Sequence, residues 1–143
     1  MLDATIMEVQ RVRPVVEITA RQVRADTLRI GRWSLPRGTV VTVCIALLHE
    51  DPALFPDPAR FDPGRFQGDS YGWIPFGGGV RRCIGAAFAA LEMRVVLRTM
   101  LREFVFEPTT EPPERAHNRG IAVAPARGGM AVVRRRVAGA PHS

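Results

Sequence analysis

The first apolar positions of the chain, Leu2, Ile6 and Val9, recur at helical spacing on one face, with Asp3 in the first turn and Pro14 where a helix must stop. Val15 to Ala20 then reads as extended and apolar, and Gln22 to Ile30 alternates as a strand that turns at Gly31. Thr39 to Leu47 gives the strongest strand pattern, rich in β-branched residues and free of breakers. The periodicity dissolves in HEDPALFPDPARFDPGRF, from His49 to Phe66, where four prolines forbid regular helix or a central strand. That stretch is predicted to be a meander, ordered if its three Phe side chains pack. A glycine-rich loop over Phe76 to Arg82 opens into the best helix of the chain, Ile84 to Glu103, with an apolar stripe of Ile84, Phe88, Leu91 and Val95. Short strands are expected near Phe104 to Phe106, Ile121 to Ala124 and Met130 to Arg134. No internal repeat is visible, and the tail from Val137 is expected to be disordered. These elements predict a mixed α+β fold over residues 1–136: two helices, a small, mostly antiparallel sheet and a long meander.

Composition narrows the class. A chain of 143 residues with 46% hydrophobic content can form one core, and 13 Gly with 12 Pro make it loop-rich. Its longest apolar run, Val40 to Leu48, is interrupted by Thr42 and is far too short to cross a bilayer. The opening MLDATIMEVQ has neither a basic segment nor a small-residue cleavage site, so no signal peptide and a cytoplasmic location are expected. Two cysteines cannot build a disulfide framework, and no CxxC or HxxxH pairing suggests structural zinc. Cys44, within VTVCIALL, reads as a small buried hydrophobe. All 20 basic residues are Arg, and the formal charge is +6. Such a surface can attract nucleic acid or an acidic protein, or simply be solvated.

The second cysteine lies in FGGGVRRCIG, Phe76 to Gly85, directly ahead of the long helix. The helix dipole and free backbone N–H groups favour negative charge on a sulfur placed there. Gly77, Gly78 and Gly79 let the backbone bend tightly and approach a flat ligand, and Arg81 and Arg82 can meet carboxylates. A thiolate, backbone donors and an Arg for a propionate are what haem-thiolate ligation needs. A phosphate loop is disfavoured because G-x-x-x-x-G-K-[ST] is absent, and a dinucleotide G-x-G-x-x-G fails at these spacings. A catalytic cysteine lacks a nearby His. On these local grounds a plain glycine-rich turn with a buried Cys also stays open.

The pattern F-G-x-G-x-R-x-C-x-G resembles the haem-binding signature of the cytochrome P450 family, and Phe76, Gly77, Gly79, Arg81, Cys83 and Gly85 fill its fixed positions. Two further motifs of that family occur in order: E-x-x-R as Glu8-Val9-Gln10-Arg11, and P-x-R-F as Pro63-Gly64-Arg65-Phe66. The resemblance runs from Leu2 to about Pro125. It implies haem b bound through a Cys83 thiolate, a buried charge triad of Glu8, Arg11 and Arg65, and monooxygenation of a small hydrophobic organic substrate. The electrons would come from a ferredoxin- or flavodoxin-type donor protein. Arg60, in Pro58-Ala59-Arg60-Phe61, is a rival for the third triad position, but Arg65 fits better by its distance to the haem loop. Arg21 resembles the arginine that clamps a haem propionate, and His49 occupies a position suited to a turn or a propionate neighbour. Val15, Val16 and Ile18 match a segment that lines the substrate pocket, although apolar strand residues can equally be core.

Arg94, Arg98 and Arg102 follow one another at i, i+4 and i+8. They form either a hydrated face compensated by acids such as Glu92 and Glu103, or a docking patch for an acidic electron donor. Arg134 to Arg136 lacks the aromatic interleaving of a nucleic-acid site, and no nucleic-acid partner or membrane span is expected. The family's acid–alcohol pattern, [AG]-G-x-[DE]-T, has no match, since Ala25-Asp26-Thr27 lacks the preceding glycine. The chain is therefore expected to be the C-terminal part of such an enzyme, through a wrong start, a split gene or a recombinant piece, and to be inactive alone. The alternative is a non-catalytic remnant that at most binds haem or a partner.

Overall fold

Pro14 does end the first helix: α1 spans Leu2–Val12, with Asp3 in its first turn and Arg11 in its last, each complementing the helix dipole. The computed structural model describes residues 1–67, 71–112 and 114–136, so the tail expected to be disordered lies outside the described residues. After α1, β1 (Ile18–Gln22) pairs antiparallel with β4 (Val40–Cys44), Ile18 facing Cys44 and Gln22 facing Val40. The hairpin of β2 (Thr27–Ile30) and β3 (Trp33–Pro36) lies between them in sequence and turns at Gly31, where φ is +56°. A short helix α2 (Ile45–His49) leads into the meander, whose only regular piece is a 3-10 turn at Pro63–Phe66. The long helix α3 (Ala86–Glu103) follows the Cys83 loop. Two small antiparallel pairs close the chain: β5 (Phe104–Phe106) with β8 (Val133–Arg135), and β6 (Ala116–Asn118) with β7 (Val123–Pro125).

The mixed helix and antiparallel-strand architecture matches the sequence pattern, while several boundaries move. The segment Thr39 to Leu47 is not one strand, because from Ile45 onward the chain is helical. Ala46, Leu47 and Leu48 are good helix formers, and a short apolar run does not distinguish strand from buried helix by periodicity. The switch is held by the Glu17 carbonyl, which accepts from both the Ile45 and the Ala46 N–H at 2.7 and 3.2 Å. Gln22 belongs to β1 rather than to the strand ending at Ile30, and Cys44 is half-buried rather than fully buried. The strand β6 carries too little apolar alternation to be read from sequence.

Ile6, Val23, Ile45, Phe55 and Ala86 form the buried apolar core. Ile6, Ile45 and Phe55 come from α1, α2 and the meander, while Val23 follows β1 and Ala86 opens α3. Of the three meander phenylalanines, Phe55 is buried, Phe66 half-buried and Phe61 exposed. The predicted stripes are covered unequally. Ile6 is buried but Val9 is not, and of the predicted long stripe Ile84, which falls just before α3, and Phe88, Leu91 and Val95 on it are all exposed. Among the described residues no helix is long and apolar enough to cross a membrane.

Candidate functional site

Beneath the meander lies a buried charge cluster. Glu8 and Arg11 sit one turn apart on α1, so their side chains share a face. They form a bidentate pair: Arg11 Nε donates to Glu8 Oε2 and Arg11 Nη2 to Glu8 Oε1, both at 2.8 Å. Arg65, from the 3-10 turn, donates through Nε to Glu8 Oε1 at 3.2 Å, and the Asp62 backbone N–H reaches the same oxygen at 2.9 Å. Arg60 does not take this position, since its guanidinium turns to Asp62 at 3.8 Å and only its carbonyl joins the cluster.

One carboxylate faces two guanidiniums, and the remaining N–H groups find acceptors in the meander. Arg11 donates to the carbonyls of His49 at 2.8 Å and Pro58 at 2.9 Å, and Arg65 to those of Pro56 at 3.1 Å and Arg60 at 3.0 Å. Prolines have no N–H, so the meander is short of backbone donors for its own carbonyls, and the arginine forks supply them. Burial pushes the Glu8 carboxyl up, but the Arg11 hydrogen bonds, the Asp62 N–H and the Arg11 and Arg65 charges outweigh it and hold its pKa below the usual value. Among the described residues no buried side-chain polar atom lacks a hydrogen-bond partner.

The same cluster reaches the loop that carries Cys83. His49 is 0% exposed; its Nδ1 lies 3.3 Å from the Arg11 carbonyl, and its Nε2 accepts the Ile74 N–H at 3.1 Å. Desolvation, reinforced by the Arg11 charge, lowers its pKa against a raising contribution from the Arg11 backbone contact. Trp73 Nε1 donates to the Met7 carbonyl at 3.0 Å, and its ring meets Phe66 and Phe76 edge-on. Gly77 and Gly79 adopt φ of +70° and +63°, a backbone that side-chain-bearing residues rarely take, which explains the glycines there. The Cys83 N–H donates to the Phe76 carbonyl at 2.9 Å, folding the loop back on itself. Gly85 caps α3, and a Cβ built there would lie 3.7 Å from the Cys83 sulfur.

Cys83 is exposed and lines a cleft of about 940 Å³ together with Arg21, Arg24, Arg81, Arg82, Val80 and Ile84. A cleft lined by a thiol, apolar residues and several arginines suits a flat apolar ligand that carries carboxylates and binds sulfur through a metal. Arg21 folds back along its own strand, donating to Thr19 Oγ1 at 3.0 Å and the Ala20 carbonyl at 2.7 Å. His49 stands apart from the cleft. Both of its ring nitrogens face backbone groups, of Arg11 and Ile74, and these tie it into the brace at the end of α2.

Val15 lines a different cavity of about 470 Å³, with Val9, Val12, Val123 and Pro125, whereas Val16 and Ile18 do not. On α3, Arg94 pairs with Asp3 at 2.5 Å and Glu103 with Arg135 at 3.8 Å, so the compensation expected within the helix comes from elsewhere. The sequence reading missed Trp73 and the brace role of His49. An indole in a loop needs a partner for its N–H when half-buried, and that was the only available signal.

The sequence profile of the family described as Cytochrome P450 matches residues 1–132. A Mycobacterium tuberculosis protein provisionally named cytochrome P450 138 is 52% identical over 137 residues, which cover 94% of this chain and 31% of the relative. Another from the same species, provisionally named cytochrome P450 135B1, is 43% identical over 136 residues, covering 93% of this chain and 29% of its own length. The chain thus spans about a third of the length of the relatives it matches. Among solved structures, a retinoic acid-bound cyanobacterial CYP120A1 superposes with a TM-score of 0.81 at 28% identity, over 94% of this chain and 32% of that one. The cytochrome P450DA heme domain gives 0.82 at 24% identity, over 95% and 31%, a likeness of fold.

Proposed function

The chain belongs to the cytochrome P450 family, and from that premise we propose that it carries the haem-ligating half of a monooxygenase site, with Cys83 as the thiolate ligand of haem b. The observation that supports this best is the exposed Cys83 thiol lining a cleft together with Arg21, Arg24, Arg81 and Arg82. In this reading Cys83 holds the iron, Arg81 and Arg21 take the propionates, and Phe76, Gly77, Gly79 and Gly85 shape the loop around the sulfur. Glu8, Arg11 and Arg65 fix the floor on which the loop stands. Haem supplies, when bound, an iron centre able to activate O2 for insertion of one oxygen atom into a small hydrophobic organic substrate.

The electron donor is proposed to be an acidic ferredoxin- or flavodoxin-type protein. The exposed Arg98 and Arg102 support this, since they have no ion-pair partner among the described residues. The location is proposed to be cytoplasmic. The 143 residues contain no acid–alcohol pattern of the kind that delivers protons to bound oxygen, and the α3 stripe is uncovered. We therefore propose that this chain by itself binds haem weakly and does not couple electrons to substrate oxidation. The test joins the chain in frame to the N-terminal two-thirds of the mycobacterial cytochrome P450 138 and measures haem content. One haem per polypeptide, lost in Cys83→Ala, is expected. Stoichiometric haem in the Cys83→Ala protein would overturn the assignment.

A further inference from the structure

We propose that His49 is a positioning residue for the Cys83 sulfur, acting through the Ile74 amide and the turn that follows it. The inference rests on the reading of Cys83 as the haem ligand. The Ile74 N–H can only donate and the Arg11 carbonyl can only accept, and they meet the ring at Nε2 (3.1 Å) and Nδ1 (3.3 Å). A neutral imidazole has one donor and one acceptor, so only the tautomer protonated at Nδ1 satisfies both. The backbone of His49 is engaged as well, its carbonyl accepting from Arg11 Nη1 at 2.8 Å. His49 and Arg11 therefore hold each other at two points, and the free face of the imidazole is spent on Ile74.

From Ile74 a short run of hydrogen bonds leads to the sulfur-bearing residue. The Gly77 N–H donates to the Ile74 carbonyl at 2.9 Å, and the Cys83 N–H donates to the carbonyl of Phe76, the residue before Gly77, at 2.9 Å. The preceding residue, Trp73, is pinned to α1 through the Met7 carbonyl. The loop thus leaves the body of the protein from two adjacent pins, one of them His49. The Phe55 contact, 5.8 Å between ring centres, packs the ring edge-on, and the two nitrogen contacts fix its orientation and direct Nε2 at the Ile74 N–H. Ile74 lies two peptide links before Phe76, where the ligand loop begins, so this pin sets where the loop starts.

The test compares three variants in the haem-loaded chimera with cytochrome P450 138. His49→Phe keeps the bulk and loses both hydrogen bonds. His49→Gln can still accept from Ile74, whereas His49→Asn is too short to reach it. The readouts are the reduced carbon-monoxide spectrum, which distinguishes thiolate ligation from its loss, and amide exchange at Ile74 and Cys83. Wild type should show the strongly red-shifted thiolate band; if it does not, the reading of Cys83 fails, not this one. Given that band, His49→Phe and His49→Asn should lose at least half of it, with exchange at Ile74 about tenfold faster, the equivalent of one lost hydrogen bond. His49→Gln should restore both. Full thiolate bands in His49→Phe and His49→Asn would overturn the proposal. Should His49→Phe fail to fold, nitrogen NMR of the wild type still decides: protonation at Nδ1 is expected, and an Nε2-protonated ring would contradict it.

Discussion

Under the meander, Glu8 and His49 are 0% exposed and Arg11 is 2% exposed, and each is matched by partners within the chain. Along α3, Phe88 is 70% and Leu91 58% exposed, although both lie on a clean apolar stripe. The polar region is finished and the apolar one is not. The buried charges had to be closed locally, because a buried ion missing one partner is costly, while an apolar face only forgoes a gain until something covers it. The floor of the Cys83 loop is thus self-contained within about a third of the relatives' length, and the covering of α3 is not.

Breaking the finished region should have the largest effect. Glu8→Gln leaves two guanidiniums without their carboxylate, and Arg11→Ala leaves Glu8 buried opposite Arg65 alone. Each should lower unfolding free energy by about 3–5 kcal/mol, measured by denaturant titration. The uncovered region makes the converse prediction. Phe88→Ala should change the stability of this chain alone by less than about 0.5 kcal/mol. In the chimera with cytochrome P450 138 the same change should cost about 3–5 kcal/mol, because the side chain would there be covered.

Acid should sharpen the contrast further. The folded pKa values of both Glu8 and His49 lie below their ordinary values, so the folded state binds fewer protons than the unfolded one. The contribution of His49 is present above about pH 6.5 and is lost as the pH falls through its folded pKa. That of Glu8 is present above the carboxylate range and is lost at lower pH still. The charge facing His49 is Arg11 from α1, which Glu8 pairs with on its other side and Arg65 joins through Glu8. Stability should therefore decline in two acid steps, and His49→Phe should remove the first. The smallest structural effect is expected on the outer surface. Arg98→Glu with Arg102→Glu should leave stability within about 0.5 kcal/mol, yet slow reduction by an acidic donor and flatten its salt dependence.

Spacing put Glu8 and Arg11 on one helix face, and the buried triad with Arg65 was legible only through the family resemblance of E-x-x-R and P-x-R-F. The Cys83 loop was legible for the same reason, with glycines where positive φ is required. His49 was not, because its partners are the backbone groups of Arg11 and Ile74, and backbone groups leave no trace in side-chain identity. The end of β4 was misplaced because apolar strand and apolar helix look alike over nine residues, from Thr39 to Leu47. Exposure of the α3 stripe was invisible to periodicity, which reports which face is apolar and not whether anything covers it.

The central claim is that Cys83, and no other side chain, ligates the haem iron. Its most direct measurement is the Soret band of the reduced carbon-monoxide adduct of the haem-loaded chimera and its two cysteine variants. A strongly red-shifted thiolate band is predicted for the parent and for Cys44→Ala, and an imidazole-like band for Cys83→His. A red-shifted band that survives Cys83→His, or that disappears in Cys44→Ala, would contradict the account.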